Sequence, residues 1–267
     1  MKYYVVILAC VLGLMLAPYS AVAEDAQPVE ISAQKDLQWD RKNHRYLAHG
    51  DVEVVQGDVT LYADEMRAYY NADAGTSNLT NIEMIGNVRV VSKAYTAHGD
   101  DGVYDVAGGR AKLTGDNLRI VSPDQTITAR DSLEYNSTTQ EFFAYGRAHA
   151  VRGTYTLDAD VLTALFDNAP AQGGTGKQSL KVLKARGNVV VSAPEEKIYG
   201  DRAVYNVKTE LATMTGNVRI VQGPNVLRGS KAQMDMKIGV SQLMADPKKA
   251  SGDGRVRGVF YPASKKK

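Results

Sequence analysis

The chain holds 267 residues, of which 44% are hydrophobic, 23% charged and 7% aromatic, with a formal net charge of +2. That mixture supplies a folded core and excludes a disordered chain, while the shortness of its uncharged apolar runs excludes a polytopic helical membrane protein. Near-neutrality, with no basic stripe apart from Lys265, Lys266 and Lys267, argues against a nucleic-acid partner.

At the N-terminus Lys2 leads an apolar run from Val5 to Leu16, then Pro18, then Ala21-Val22-Ala23 ahead of Glu24 and Asp25. The run is too short to span a bilayer, and Ala-x-Ala before acidic residues is what signal peptidase accepts, so residues 1–23 read as a secretory signal peptide. The rival, a lipoprotein signal ending at Cys10, would leave most of the apolar run on the mature protein. Cleavage after Ala23 removes Lys2 and no acid, lowering the net charge to +1, and also removes the single cysteine, Cys10. The exported part is then expected to fold without disulfides or thiolate metal sites, which fits a bacterial periplasm.

Beyond the leader one phrase recurs: Gly86-Asn87-Val88-Arg89-Val90-Val91, Gly187-Asn188-Val189-Val190-Val191 and Gly216-Asn217-Val218-Arg219-Ile220-Val221. Weaker copies start at Gly50, Gly115 and Gly146, so the chain reads as an array of repeats with a period of roughly thirty residues. A second phrase alternates with it, a small residue followed by Asp: Ala63-Asp64, Gly99-Asp100, Ala159-Asp160 and Gly200-Asp201, with Arg130-Asp131 as a looser copy. Each repeat thus predicts two short strands separated by turn residues, the pattern of stacked antiparallel hairpins, and no stretch sustains helical periodicity.

Side chains alternate across a strand. In the first phrase Val88 and Val90, Leu118 and Ile120, Val189 and Val191, and Val218 and Ile220 share one face, with Arg89, Arg119 and Arg219 on the other. Leu61, Ile198 and Leu227 precede the small residue of the second phrase or its equivalent, whereas Met66, Leu133, Leu162 and Ala203 follow Asp with opposite parity. Both sets face inward only if the strand bends between them, at the Gly or Ala before Asp. Strands bending in register predict two facing sheets around a long apolar interior, an all-β, elongated, open β-jellyroll. Residues 168–177 read as an exposed glycine-rich loop, and 246–254 as a linker to a last strand at 255–261.

His44, His49, His98 and His149 lie in different repeats without metal-pair spacing, and no zinc site is expected. The recurring Asp64, Asp100, Asp131, Asp160 and Asp201 suit turn capping, one carboxylate per hairpin. Nucleophile elbow, phosphate loop and dinucleotide fingerprint are absent from the sequence, so neither enzymatic activity nor a cofactor is expected.

Leu157-Asp158-Ala159-Asp160, the insertion around Gly173-Gly174, Gly216-Asn217-Val218, and the closing Gly254-Arg255-Val256-Arg257-Gly258-Val259-Phe260-Tyr261-Pro262 with its lysine-rich tail resemble the LptA/OstA-like family of periplasmic lipopolysaccharide-transport proteins. The family pattern corresponds to the portion from 127 onward. The expected organisation is therefore a leader (1–23), N-terminal repeats (24–126), C-terminal repeats continuous with them (127–262) and a basic tail (263–267). The resemblance implies a bridge that shields lipid A acyl chains in an apolar trough between an LptC-like inner-membrane protein and an LptD-like outer-membrane protein. It also implies head-to-tail self-association. The inward residues Leu61, Met66, Val88, Val90, Leu118, Ile120, Leu133, Leu162, Val189, Val191, Ile198, Val218, Ile220 and Leu227 would then touch lipid. The competing reading is an exported structural or adhesive β-repeat protein with a sealed core. Ala68, Ala148, Ala150, Ala164 and Ala203 at inward positions favour a cavity, though alanines also pack in tight cores.

Overall fold

The computed structural model describes residues 29–74, 78–166, 180–245 and 255–261. The leader with Cys10, the loop at 168–177, the linker at 246–254 and the basic tail lie outside those residues. The described residues open with β1 (Glu30–Ser32), β2 (Asp36–Asp40), β3 (Arg45–Gln56) and β4 (Val59–Tyr70). After a 3-10 turn at Ala72–Ala74 come shorter strands: β5 (Leu79–Ile85), β6 (Arg89–Val91), β7 (Thr96–His98), β8 (Asp101–Asp105), β9 (Arg110–Thr114), β10 (Arg119–Ser122), β11 (Gln125–Thr128) and β12 (Ser132–Asn136). Long strands then return as β13 (Glu141–Arg152), β14 (Tyr155–Phe166), β15 (Leu180–Ala193), β16 (Glu196–Asn206), β17 (Leu211–Gln222) and β18 (Asn225–Asp235), closed by β19 (Val240–Met244) and β20 (Arg257–Val259).

All of these strands belong to one antiparallel meander. Where the strands are short, two ladders run side by side: β5–β8–β9–β12 on one side of a corner line and β6–β7–β10–β11 on the other. Both ladders rejoin on β13, so hydrogen bonding passes residues 126–127 without interruption. The sheet folds along the corner into two layers whose inner faces meet. Leu157 and Ala159 before the corner of β14, and Leu162, Ala164 and Phe166 after it, are buried in the same cluster.

The corner has a fixed local chemistry. Gly50-Asp51, Gly86-Asn87, Gly146-Arg147, Gly187-Asn188 and Gly216-Asn217 all hold positive φ at both residues, between 42° and 79°. This conformation is free to glycine and least costly elsewhere to Asn and Asp. Four of these pairs add an extra residue within one strand, as the register shifts between His49 and Val52, Tyr145 and Ala148, Arg186 and Val189, and Thr215 and Val218 record, and Gly86-Asn87 separates β5 from β6. The facing strand carries the aspartate. Asn87, Asn188 and Asn217 donate their side-chain amides to Asp64, Asp160 and Asp201 at 2.8, 2.9 and 3.0 Å. The backbone N–H of Asp116 donates to Asp100 at 2.6 Å.

The left-handed residues that bend the sheet lie on the Gly-Asn strand, not at the small residue before Asp. Asp64, Asp100, Asp160 and Asp201 clasp the corner between neighbouring strands instead of capping the hairpin ends, whereas Asp131 accepts from the adjacent Arg130. The small residue serves packing: a Cβ on Gly200 would come within 2.6 Å of the Met214 side chain.

Candidate functional site

The expected inward residues do face the interior, and strand register sorts them into rows. On one layer Leu61, Val90, Ile120, Val191, Ile198, Ile220 and Leu227 belong to one cross-strand row that starts at Ile31 and Val54 and also holds Ala97, Ile127, Ala150 and Leu157. With strands about 4.8 Å apart, the row is roughly 60 Å long. On the other layer Met66, Leu133 and Leu162 share a row with Ala48, Met84, Leu113, Ala144, Ala185, Ala203, Met214, Ala232 and Leu243. Val88, Leu118, Val189 and Val218 sit at the corner, two residues after its glycine or, for Leu118, three. There Val189 faces Gly200 and Val218 faces Gly229, a large residue against a small one.

Burial divides this set. Met66, Val88, Leu118, Ile120, Leu133, Leu162, Val189, Val191 and Val218 are closed off from solvent, whereas Leu61, Val90, Ile198, Ile220 and Leu227 are half-buried. One continuous cluster runs from Ala97 to Met236, while Ala48, Val52 and Met66, and separately Ala63, Met84 and Val88, form smaller clusters toward the N-terminal end. In the middle the two layers touch. Ala148, Ala150 and Ala164 are fully buried there, so these alanines let the layers approach.

Toward the C-terminal end the layers separate around a partly open apolar cavity of about 450 Å³, lined among others by Val191, Ile198, Met214, Ile220, Leu227 and Leu243. This volume falls in the range of small-molecule sites. Glu196, Gln222 and Asn225 stand at its polar edge and Phe260 beside β20 at its mouth. Burial pushes the Glu196 carboxyl above its ordinary value. Met214, Met234, Leu243 and Glu196 were absent from the sequence expectation. Met214 was within reach, since it stands two residues before the corner glycine, where Ala144 and Ala185 also face inward. Leu243 and Met234 lie where no Gly-Asn phrase marks the register.

Outside the interior, Arg89 stacks over the Tyr62 ring at 4.0 Å and Arg219 over Tyr199 at 3.9 Å. On the same outer face His149 is partly exposed and pairs with Asp158 at 2.6 Å.

A family model described as LptA/(LptD N-terminal domain) LPS transport protein matches residues 30–141 and, a second time, 126–240. An uncharacterized protein of Rhizobium meliloti is 26% identical over 148 residues, covering 55% of this chain and 76% of its own. Among solved structures, LptH of Pseudomonas aeruginosa, described as the LptA-homologous periplasmic component of the lipopolysaccharide transport device, aligns with a TM-score of 0.41 at 19% identity. The alignment covers 52% of this chain and 95% of that one.

Proposed function

The chain belongs to the LptA/(LptD N-terminal domain) family of lipopolysaccharide transport proteins, and from that premise we propose that its interior rows form a periplasmic track for the acyl chains of lipid A. The observation that carries this reading is the register. Apolar residues of equivalent position follow one another from Ile31 to Leu227 on one layer, and the C-terminal end of that row opens into the apolar cavity. At ~0.8 kcal/mol per methylene, leaving a chain of about ten methylenes in water costs about 8 kcal/mol, so lipid A does not cross an aqueous gap unshielded. Nearly equivalent repeats give nearly equal burial at each step. Lipid then slides without a large barrier while its sugars stay in solvent.

Entry into the closed middle requires the layers to part. At its two ends, Met66 and Met84 on one side and Met214 and Met234 beside the cavity on the other support passage, because unbranched thioether side chains refill irregular space as a guest moves past. The terminal strands complete the proposal. Head-to-tail pairing of sheet ends would join copies of this chain to one another, and to LptC-like and LptD-like partners at the two membranes, by β-strand addition.

Photocrosslinking amino acids at Val88, Ile120, Val189 and Ile220 should capture lipopolysaccharide, and the same probe at Arg89 or Arg219 should not. The tight central packing favours the second reading, an exported β-repeat protein with a sealed core. In that case Ile220, beside the cavity, would label no more than Arg219, and the transport track would be discarded.

A further inference from the structure

The outer face of the sheet carries a row of its own. In register across β4, β6, β7, β10, β11, β13 and β14 stand Tyr62, Arg89, His98, Arg119, Thr128, His149 and Asp158. Arg89 lies between the inward Val88 and Val90, His98 follows the buried Ala97, and Arg119 lies between the buried Leu118 and Ile120, so all three point away from the interior. Directly opposed residues sit about 5 Å apart, which places two arginines on either side of one histidine within roughly 10 Å. Arg89 and Arg119 stand one strand apart across β7, so they repel each other through that gap and together disfavour a charge on the His98 that both flank.

On the far side of Tyr62 the row continues to one carboxylate, Glu53, two strands from Arg89, and among the described residues no carboxylate stands in register directly beside Arg89, His98 or Arg119. Arg89 is steadied by the Tyr62 ring and makes no ion pair, and neither does Arg119. Toward the sheet edge the flanking residues on the same face are Val91, Thr96 and Val121, all neutral. Toward the corner the nearest carboxylates already serve the fold, Asp64 accepting from Asn87 and Asp100 from the Asp116 N–H. The same row's other histidine is different: His149 has its own carboxylate in Asp158. His98 is held below the ordinary histidine value by partial burial, then by Arg119 and Arg89.

We propose that Arg89, His98 and Arg119, with the Thr96 hydroxyl beside them, form a binding site for a phosphate-type oxyanion on the outer face of the sheet. Turned from the Tyr62 ring toward β7, the Arg89 fork joins that of Arg119 on the oxygens of one tetrahedral anion, the imidazole N–H donates from between them, and the anion relieves the repulsion that the bare row carries. The site lies on the opposite face from the lipid track and stands whether or not that track carries lipid. The anion's source is either free or glycan-borne phosphate or a phospholipid headgroup.

The test follows the His98 imidazole by NMR titration of the purified protein with and without inorganic phosphate. Phosphate should move the His98 midpoint up and perturb amides of β6, β7 and β10. In Arg89→Ala/Arg119→Ala the midpoint should already be higher without phosphate, because the two repelling charges are gone, and phosphate binding should weaken about tenfold or more. Arg89→Lys/Arg119→Lys, which keeps the charge but loses the forks, should bind phosphate more weakly than wild type and more tightly than the double alanine variant, and controls for folding. Co-sedimentation with phosphatidylglycerol but not phosphatidylcholine vesicles would identify a headgroup, and a phosphate response without vesicle binding would identify the free or glycan-borne group. A wild-type His98 signal indifferent to phosphate, or an undiminished response in the double alanine variant, overturns the proposal.

Discussion

At the scale of single residues, the corners differ in one position. Asn87, Asn188 and Asn217 each occupy the left-handed region and reach across to an aspartate, whereas Arg147 adopts the same backbone, φ 47°, opposite Asp131. Asp131 is instead held by Arg130 at 2.6 Å, which keeps its carboxyl below the usual range. A left-handed arginine costs more than a left-handed asparagine and has no amide to place on Asp131. Arg147→Asn should therefore stabilise the protein by about 1 kcal/mol, and Asn188→Ala should destabilise it by a similar amount. Thermal melts read both, and a lower melting temperature for Arg147→Asn would refute this account of the corner. Glu196 offers a pH test. Its carboxyl is raised in the folded protein by burial, so folding favours the protonated form. Stability is then full below the ordinary carboxylate range and declines as pH rises through the raised value. Glu196→Gln should raise the melting temperature at neutral pH and leave it unchanged in acid; an equal gain at both would exclude burial of the charge as the cause.

At the scale of elements, the sheet ends on strands without a further neighbour among the described residues. β1 and β2 pair with β3 alone, and β19 and β20 with β18 alone. Both ends expose apolar side chains, Val29, Leu37 and Trp39 at one and Val240, Val259 and Phe260 at the other. An unpaired edge with apolar neighbours invites another strand. Removing residues 255–267 strips β20 from Val226, Leu227 and Arg228, so the truncated protein should sediment at lower mass than the intact one at equal concentration. An unchanged mass distribution would refute self-association through this edge. The final strand was legible in the sequence, although β20 occupies only Arg257–Val259 of the stretch 255–261. β18 and β19 were harder to read because their inward residues, Ala232, Met234 and Leu243, follow no repeated glycine phrase.

At the scale of the molecule, the family model matches twice with an overlap at 126–141, while the hydrogen-bonded ladders and the large apolar cluster run through that overlap. Ala97, Leu118 and Ile120 on one side pack in the same cluster as Ile127 and Leu133 on the other. A repeat array of this kind draws its stability from interfaces between neighbours. Residues 24–126 and 127–267 expressed separately should each melt below the intact chain, because the cut splits β11 between its partners β10 and β13 and unpairs β9 from β12. Two fragments that melt as they do when joined would establish independent domains, and the single continuous unit would be given up.

The sequence by itself determined which side chains face inward, because a period of two interrupted at a recurring Gly-Asn and Asp is a local property of the chain: Met66 and Leu61 could share an interior only through a bend. It also located the repeats, since the corner needs glycine wherever the backbone turns left-handed. The tertiary structure decided how those faces meet. Asp160 and Asn188 stand 28 residues apart, and only strand register brings them together as a clasp. Whether an inward alanine borders a cavity or a contact depends on the separation of two layers, which no single strand encodes. The layers touch at Ala148 and Ala164 and part around Ile220 and Leu227. The outer basic row has the same origin. Arg89, His98 and Arg119 carry no local signature, and cross-strand register alone makes them neighbours.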